Sequence, residues 1–228
     1  MSRRITDGPP LSRERVLGAA VELADAGGIA SLTIRSLADK LGVKPMSVYH
    51  HVANKDEILD GIVDRVFAEI EVPAAGGDWR AELRRRCGSA RLALRRHSWA
   101  IGLLESRTTP GPATLRAHDA ALGCLRGAGF TVPQTAHALT VLDSYVYGFA
   151  VQEASLPFDE QQSAGDVAED IMEGFDPGAY PHLVEMAVEH ITRPGYSFGD
   201  QFGFGLELIL DGLAALLGSG ADRARRDQ

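Results

Sequence analysis

The stretch Leu32–Lys55, LTIRSLADKLGVKPMSVYHHVANK, constrains this chain more than any other. Thr33 has the chemistry of a helix N-cap, and Ile34, Leu37, Ala38 and Leu41 recur at the spacing of one buried helical face. Gly42 stands where a left-handed C-cap residue is wanted. Pro45 suits the first turn of a following helix, where a missing N–H costs little. In that second helix Val48 and Val52 are the natural inward pair, which leaves Met46, Ser47, Tyr49, His50 and His51 on or near the exposed side. Asn54 opens a third helix, with Glu57 three residues on as a capping-box partner. Two short helices meeting at a sharp angle across a Gly-containing turn make a helix-turn-helix, and the second has the length that enters a DNA major groove.

Around this core the chain reads as helix after helix. Residues 1–11, with Arg3, Arg4, Gly8, Pro9 and Pro10, form a flexible basic arm, either a minor-groove segment or an untethered terminus. Ser12 caps a first helix with Val16, Leu17, Ala20, Leu23 and Ala24 as its apolar stripe, ended by Gly27-Gly28. A helix from about Lys55 to Ile70 buries Ile58, Leu59, Ile62, Val63, Val66 and Phe67 and links this head, residues 12–71, to a body. Val72–Asp78 (VPAAGGD) punctuates the chain and marks the domain boundary.

The body, residues 78–218, is also expected to be helical. Asp78 caps an Arg-rich helix with Leu83, Cys87, Ala90 and Leu94 inward, and HSWAIGLLES reads as a short apolar helix. Helices follow over Ala113–Ala128, Gln134–Ser155 and His182–Ile191, and Ser197 caps a last one over Phe198–Leu217. Residues 157–180, rich in Asp, Glu, Gly and Pro, read as a loop with at most a helical turn at DVAEDIM, and the tail from Gly218 as frayed. No alternating strand pattern of useful length occurs, so the fold class is all-α.

A net charge of -8 argues at first against a nucleic-acid partner. Its distribution reverses that: residues 1–55 hold eight Lys/Arg against five Asp/Glu, a net of +3, and the remainder fifteen against twenty-six, a net of -11. A basic head on an acidic body keeps the field favourable only where DNA would touch. No apolar run approaches the roughly 18 residues of a membrane span, and the N-terminus has no secretory h-region. Cys87 and Cys124 fit a reduced, cytoplasmic protein. Neither a metal-ligand spacing, a nucleophile elbow, a Walker loop nor a dinucleotide fingerprint is present, so no cofactor, no metal and no enzymatic role are expected.

The run ITDGPPLSRERVLGAAVELADAGGIASLTIRSLADKLGVKPMSVYHHVANKDEIL resembles the N-terminal domain of the TetR family of one-component repressors. A helix-turn-helix alone is a weak signal; some fifty residues in register are a strong one. RAHDAALGCLRGAGF, QTAHALTVLDSYVYGFAVQE and FGFGLELILDGL resemble, more loosely, helices of the tetracycline-repressor group within that family. By position in the motif, the resemblance implies that Arg35 reaches a base edge and that Lys44, Pro45, Met46 and Ser47 form the reading tip of the recognition helix. Tyr49, His51 and Lys55, with Thr33, would hold phosphates, and His50 flanks them. For Tyr49, partial core packing is the other role its ring allows. Lys-Pro-Met-Ser departs from that group's Glu-Gln-Pro-Thr, so the tetracycline operator does not follow.

The resemblance further implies an effector inside the body and a two-fold four-helix bundle built from the helices Gln134–Ser155 and Phe198–Leu217. Leu206 and Leu210 stand for the latter, whose outward face the periodicity leaves open; burial of this pair inside a monomer is the alternative. Trp99, Leu103, Leu104, Glu105, Thr108 and Tyr145 are candidate effector-lining residues, together with Phe149, Gln152, Met172, Phe175 and Met186. Apolar side chains with a few polar groups describe a pocket and a helical core equally. The positions that help hold magnesium in the tetracycline-repressor group fall on Glu105 and Gln152, and a neutral amide is a poor anchor for that ion, so a metal-free effector is expected. The chain therefore reads as a ligand-responsive dimeric repressor of a palindromic operator. A helical enzyme using Glu105 or Glu153, or an interaction module without DNA binding, are the readings from other classes.

Overall fold

The computed structural model describes residues 10–104, 106–156, 164–174 and 176–226, with side chains as far as 217. Among them every regular element is helical. The first helix, α1 (Arg13–Gly27), starts where Ser12 Oγ accepts from Arg15 N, at 3.3 Å. Next, α2 (Ile34–Leu41) starts at Thr33, whose hydroxyl accepts from Ser36 N at 3.0 Å while Ser36 Oγ accepts from Thr33 N. Gly42 ends α2 at φ 70°, ψ 28°, a left-handed geometry that costs glycine nothing. The recognition helix α3 (Pro45–Val48) is a single turn with proline at its start. Asn54 opens α4 (Lys55–Ala68) by accepting from Glu57 N at 2.8 Å. The Glu57 carboxylate reaches one residue further back than a capping box and accepts from Ala53 N at 2.7 Å.

Beyond the head, α5 (Trp79–Arg96) is capped by Asp78, and α6 (Pro112–Gly127) follows. Further on, α7 (Val132–Ala154) starts at a capping box of Thr131 and Gln134. The chain continues through α8 (Ala164–Glu173), α9 (Pro181–Met186), a π-helical turn at Ala187–Ile191, and α10 (Gln201–Arg226).

Packing divides the chain into two units, Met1–Ala128 and Gly129–Gln228. In the first, Val16, Ala20, Leu37, Ala38, Val48, Ile58 and Ile62 form the core of the head. Leu83, Cys87, Ala90 and Leu94 of α5 are buried, and α6 packs against both α4 and α5. In the second unit α7 and α10 pack together, and Leu142, Val146, Leu206 and Leu210 are buried. Tyr145 and Phe149 stack with Phe202 and Phe198, and Tyr145 Oη donates to the Phe202 carbonyl at 2.9 Å.

Four local expectations are corrected. The stretch HSWAIGLLES is a 3₁₀ turn at Ser98–Ala100 followed by turns, because His97 closes α5 and no uninterrupted apolar stripe follows. A ten-residue helix, Ala164–Glu173, stands where a loop was expected, and residues 157–163 and Phe175 lie outside the described residues. Ser197 makes no side-chain capping bond, since a 3₁₀ turn, Phe198–Asp200, precedes α10. Leu206 and Leu210 are 2% and 0% exposed, so they face the interior of the second unit, while Phe204 and Leu208 carry the outward face of α10.

Candidate nucleic-acid interface

The recognition turn is held from beneath. Val48 and Val52 are 0% and 2% exposed, and between them Tyr49 and His50 stay exposed. Met46 is 71% exposed and Tyr49 42%, so both side chains are open to a partner. Lys44, Pro45 and His50 are exposed, and Ser47 and His51 half-buried. Arg35 on α2 and Lys55 at the first position of α4 are exposed as well. Thr33 is exposed, but its hydroxyl is committed: it accepts from Ser36 N and donates to Ser36 Oγ, both at 3.0 Å. Three cationic residues, an imidazole pair and a phenol thus surround Pro45 and Met46, an arrangement in which charge meets phosphate and the tip meets base edges.

Ion pairs fix the helices that carry this rim. Lys40 on α2 meets Glu22 of α1 at 2.8 Å, and Arg13 of α1 meets Glu57 of α4 at 3.2 Å. The backbone N–H of Ala53 and the Arg13 guanidinium together hold the Glu57 carboxyl below its ordinary pKa. Exposed pairs of this kind contribute little stability each, up to about 1 kcal/mol, but they set register.

Three further connections tie α1 and α4 to the rest of the first unit. Asp64 of α4 reaches the start of α6, where its carboxylate accepts from Thr114 N at 2.8 Å, Thr114 Oγ1 at 2.9 Å and Ala113 N at 3.3 Å. It is an N-cap supplied from another helix. Gly111 makes room for it, since a Cβ there would lie 2.2 Å from Asp64 Cγ. Arg107 bonds Asp60 Oδ1 at 2.6 Å and Asp56 Oδ1 at 3.2 Å. Finally, His97, 7% exposed, sits between two carboxylates: Nδ1 is 2.7 Å from Asp25 Oδ1 and Nε2 is 3.0 Å from Glu69 Oε1. Burial by itself pushes the Glu69 carboxyl up, but Arg96 and His97 outweigh it and hold its pKa below the usual value.

The candidate effector residues separate into several environments. Trp99 is buried, and its indole N–H donates to Asp25 Oδ1 at 2.6 Å. Leu103 is half-buried and Thr108 exposed. Leu104 lines a cavity of about 30 Å³ beside Phe67 and Arg107, room for one or two waters. Tyr145 and Phe149 belong to the aromatic cluster of α7 and α10. Gln152 is exposed, Met172 half-buried and Met186 55% exposed, while Glu105 lies outside the described residues. No local pattern marked Asp25, Asp60, Asp64, Glu69, His97 or Arg107, whose partners lie from 27 to 74 positions away. Among the described residues, no helix is long and apolar enough to cross a membrane.

A helix-turn-helix head with an exposed cationic rim, joined by a capped helix to a helical body, defines a transcriptional regulator rather than an enzyme. Comparison with known proteins makes the class specific. Residues 16–62 match the family of bacterial regulatory proteins of the tetR type, and residues 72–217 match the tetracyclin repressor-like C-terminal domain. The chain belongs to the TetR family and is a repressor of that family.

It is 34% identical over 218 residues to the HTH-type transcriptional repressor DrrR1 of Streptomyces coeruleorubidus, an alignment covering 92% of this chain and 79% of the relative. The apo structure of ActR from Streptomyces coelicolor superimposes with a TM-score of 0.76 at 28% identity, over 93% of this chain and 99% of that one. ActR has also been solved in complex with actinorhodin, at a TM-score of 0.75 and 27% identity, over 92% of this chain and 100% of that one. BioQ, solved with its double-stranded DNA operator, matches at a TM-score of 0.63 and 26% identity over 90% of this chain and 99% of that one.

Proposed function

We propose that this repressor binds a palindromic DNA operator as a homodimer and releases it when a small molecule enters the helical body. The observation that carries the reading is the exposed set around α3: Arg35, Lys44, Met46, Tyr49, His50 and Lys55, with half-buried His51, surround a turn pinned by Val48 and Val52. Arg35 reads a guanine edge, the tip Lys44–Ser47 reads neighbouring bases, and Tyr49, His50, His51 and Lys55 hold phosphates. The commitment of the Thr33 hydroxyl to Ser36 leaves that residue a structural part in the same surface. The operator-bound relative BioQ supports the DNA partner. Residues 12–71 serve as the DNA-binding domain with its linking helix, 78–218 as the ligand-binding and dimerisation domain, and 1–11 as a basic arm.

The two-fold contact uses α7 and α10. Phe204 and Leu208, one turn apart on α10, are 69% and 59% exposed, an apolar face that a second copy would cover. Dimerisation sets two recognition helices about one DNA turn apart, roughly 34–36 Å. The effector is a largely apolar organic molecule bound without metal, with Trp99, Leu103, Leu104, Tyr145, Phe149, Met172, Phe175 and Met186 as apolar candidates and Glu105, Thr108 and Gln152 as polar ones. The actinorhodin complex of ActR supports a ligand of organic character. It acts through its unequal affinity for the bound and released states.

The test is selection of duplexes from a randomised pool, followed by release with candidate molecules in the presence and absence of EDTA. A palindromic site and release indifferent to EDTA are expected. Failure to select any duplex removes the DNA reading, and release that requires magnesium removes the metal-free effector.

A further inference from the structure

The clasp around His97 joins three segments that the DNA-binding reading leaves without an explanation. Asp25 lies in the last turn of α1, Glu69 follows the last residue of α4, and His97 closes α5. The imidazole is 7% exposed, and each ring nitrogen lies within hydrogen-bonding distance of a carboxylate oxygen, 2.7 Å to Asp25 and 3.0 Å to Glu69. Ionised carboxylates only accept, so the two contacts are both hydrogen bonds only when both ring nitrogens donate. The surroundings agree. Asp25 Oδ1 also accepts from the Trp99 indole at 2.6 Å, and Glu69 Oε2 accepts from Arg96 at 2.6 and 3.2 Å. Asp25 and Glu69 are the anions facing the ring, Arg96 is the nearby cation, and Trp99 meets the ring edge-on, with centroids 6.0 Å apart.

A neutral ring can serve only one of these carboxylates. Its other nitrogen then turns a lone pair toward the lone pairs of an anion, in a place too buried for water to intervene freely. The strut from α1 and α4 to α5 is lost on one side. Since α1 packs on α2 and α4, the strut also sets how the head is held on α5. We propose that His97 is a positioning residue for operator binding, its doubly donating ring bracing α1 and α4 against α5 so that the recognition helix is presented at the operator spacing. The inference rests on the DNA-binding reading above, and it adds a control that neither the recognition surface nor an effector supplies: proton concentration.

The measurement is the ratio of affinities for the selected operator duplex and for a scrambled duplex, taken from about pH 6 to about pH 9, the range in which imidazoles change charge. Taking a ratio matters because the histidines of the proposed DNA surface, His50 and His51, act on both duplexes alike. For the unmodified protein the ratio is expected to fall about tenfold across the range, the size of one charge-assisted hydrogen bond. His97→Gln, neutral throughout, is expected to give a low ratio that no longer changes with pH.

Glu69→Gln is the decisive variant. Its amide can donate to the free nitrogen of a neutral imidazole while still accepting from Arg96, so the clasp closes again at alkaline pH and the ratio is retained there. A role in packing alone predicts no such rescue. A flat ratio in the unmodified protein, an unchanged fall in His97→Gln, or the ordinary fall in Glu69→Gln overturns the proposal. A chain that prefers no duplex at any pH overturns the DNA-binding reading and this inference with it.

Discussion

The head and the second unit solve the same problem, packing helices, by different means. In the head three helix starts are fixed by a side chain within a few residues, Ser12 on Arg15, Thr33 with Ser36 and Asn54 on Glu57, and the fourth by Pro45. In the second unit α9 starts at Tyr180 and the turn before α10 at Ser197 without a side-chain cap, and a π-helical turn interrupts the chain at Ala187–Ile191. Large apolar side chains there are exposed, among them Ile171, Leu183, Met186, Phe204 and Leu208. A surface that reads a rigid duplex needs its geometry built in before contact. A surface that meets a ligand or a second copy can complete its core on meeting it.

That contrast can be broken most severely within α10. Leu210 is fully buried, and Leu210→Asp should cost about 3–5 kcal/mol and unfold the second unit, because an unpaired charge has no solvent there. Phe204→Glu with Leu208→Glu should leave the fold intact, read by circular dichroism, yet sediment as a monomer. A double variant that unfolds, or one that remains a dimer, would show that the exposed face is not the completing surface.

The head should respond on a smaller scale and without assembly effects. Arg35→Ala is expected to cost about 1–3 kcal/mol on the preferred duplex and to relax one base pair per half-site. Lys55→Ala should weaken all duplexes alike and flatten the salt dependence by about one unit. Selection from a random pool and salt titration separate the two, and exchanged phenotypes would mean the surface is mis-assigned.

The smallest effect sharpens the comparison of caps. Thr33→Ala should lower stability in urea unfolding by about 1 kcal/mol, the ordinary worth of an N-cap. Ser197→Ala, which removes no capping bond, should change it by no more than about 0.5 kcal/mol. Equal losses at the two sites would dissolve the distinction.

The same contrast explains what could be read from the sequence. Thr33, Gly42, Pro45 and Asn54 act on neighbours, so their effects were legible, and Val48 and Val52 declared themselves by spacing. The joints that hold the head in place were not legible. Asp64 caps α6 from 50 positions away and His97 meets Asp25 from 72, and neither distance leaves a mark in local pattern. In α8, Val167 and Ile171 sit one turn apart, but Asp, Glu and Gly around them gave the segment the composition of a loop. The outward face of α10 stayed open because Phe202, Phe204, Leu206, Leu208 and Leu210 alternate apolar residues around the helix, and only packing with α7 decides which point in.

The cap that Asp64 places on α6 has a consequence for inheritance. It couples two distant codons: residue 111 must stay glycine for as long as residue 64 carries a carboxylate that fills the space a Cβ would need. A genetic screen for variants that fail to repress would therefore be expected to recover changes at Gly111, Asp64 and Thr114, none of them on the proposed recognition surface. Second-site suppressors of a Gly111 change would be sought first among shorter side chains at position 64.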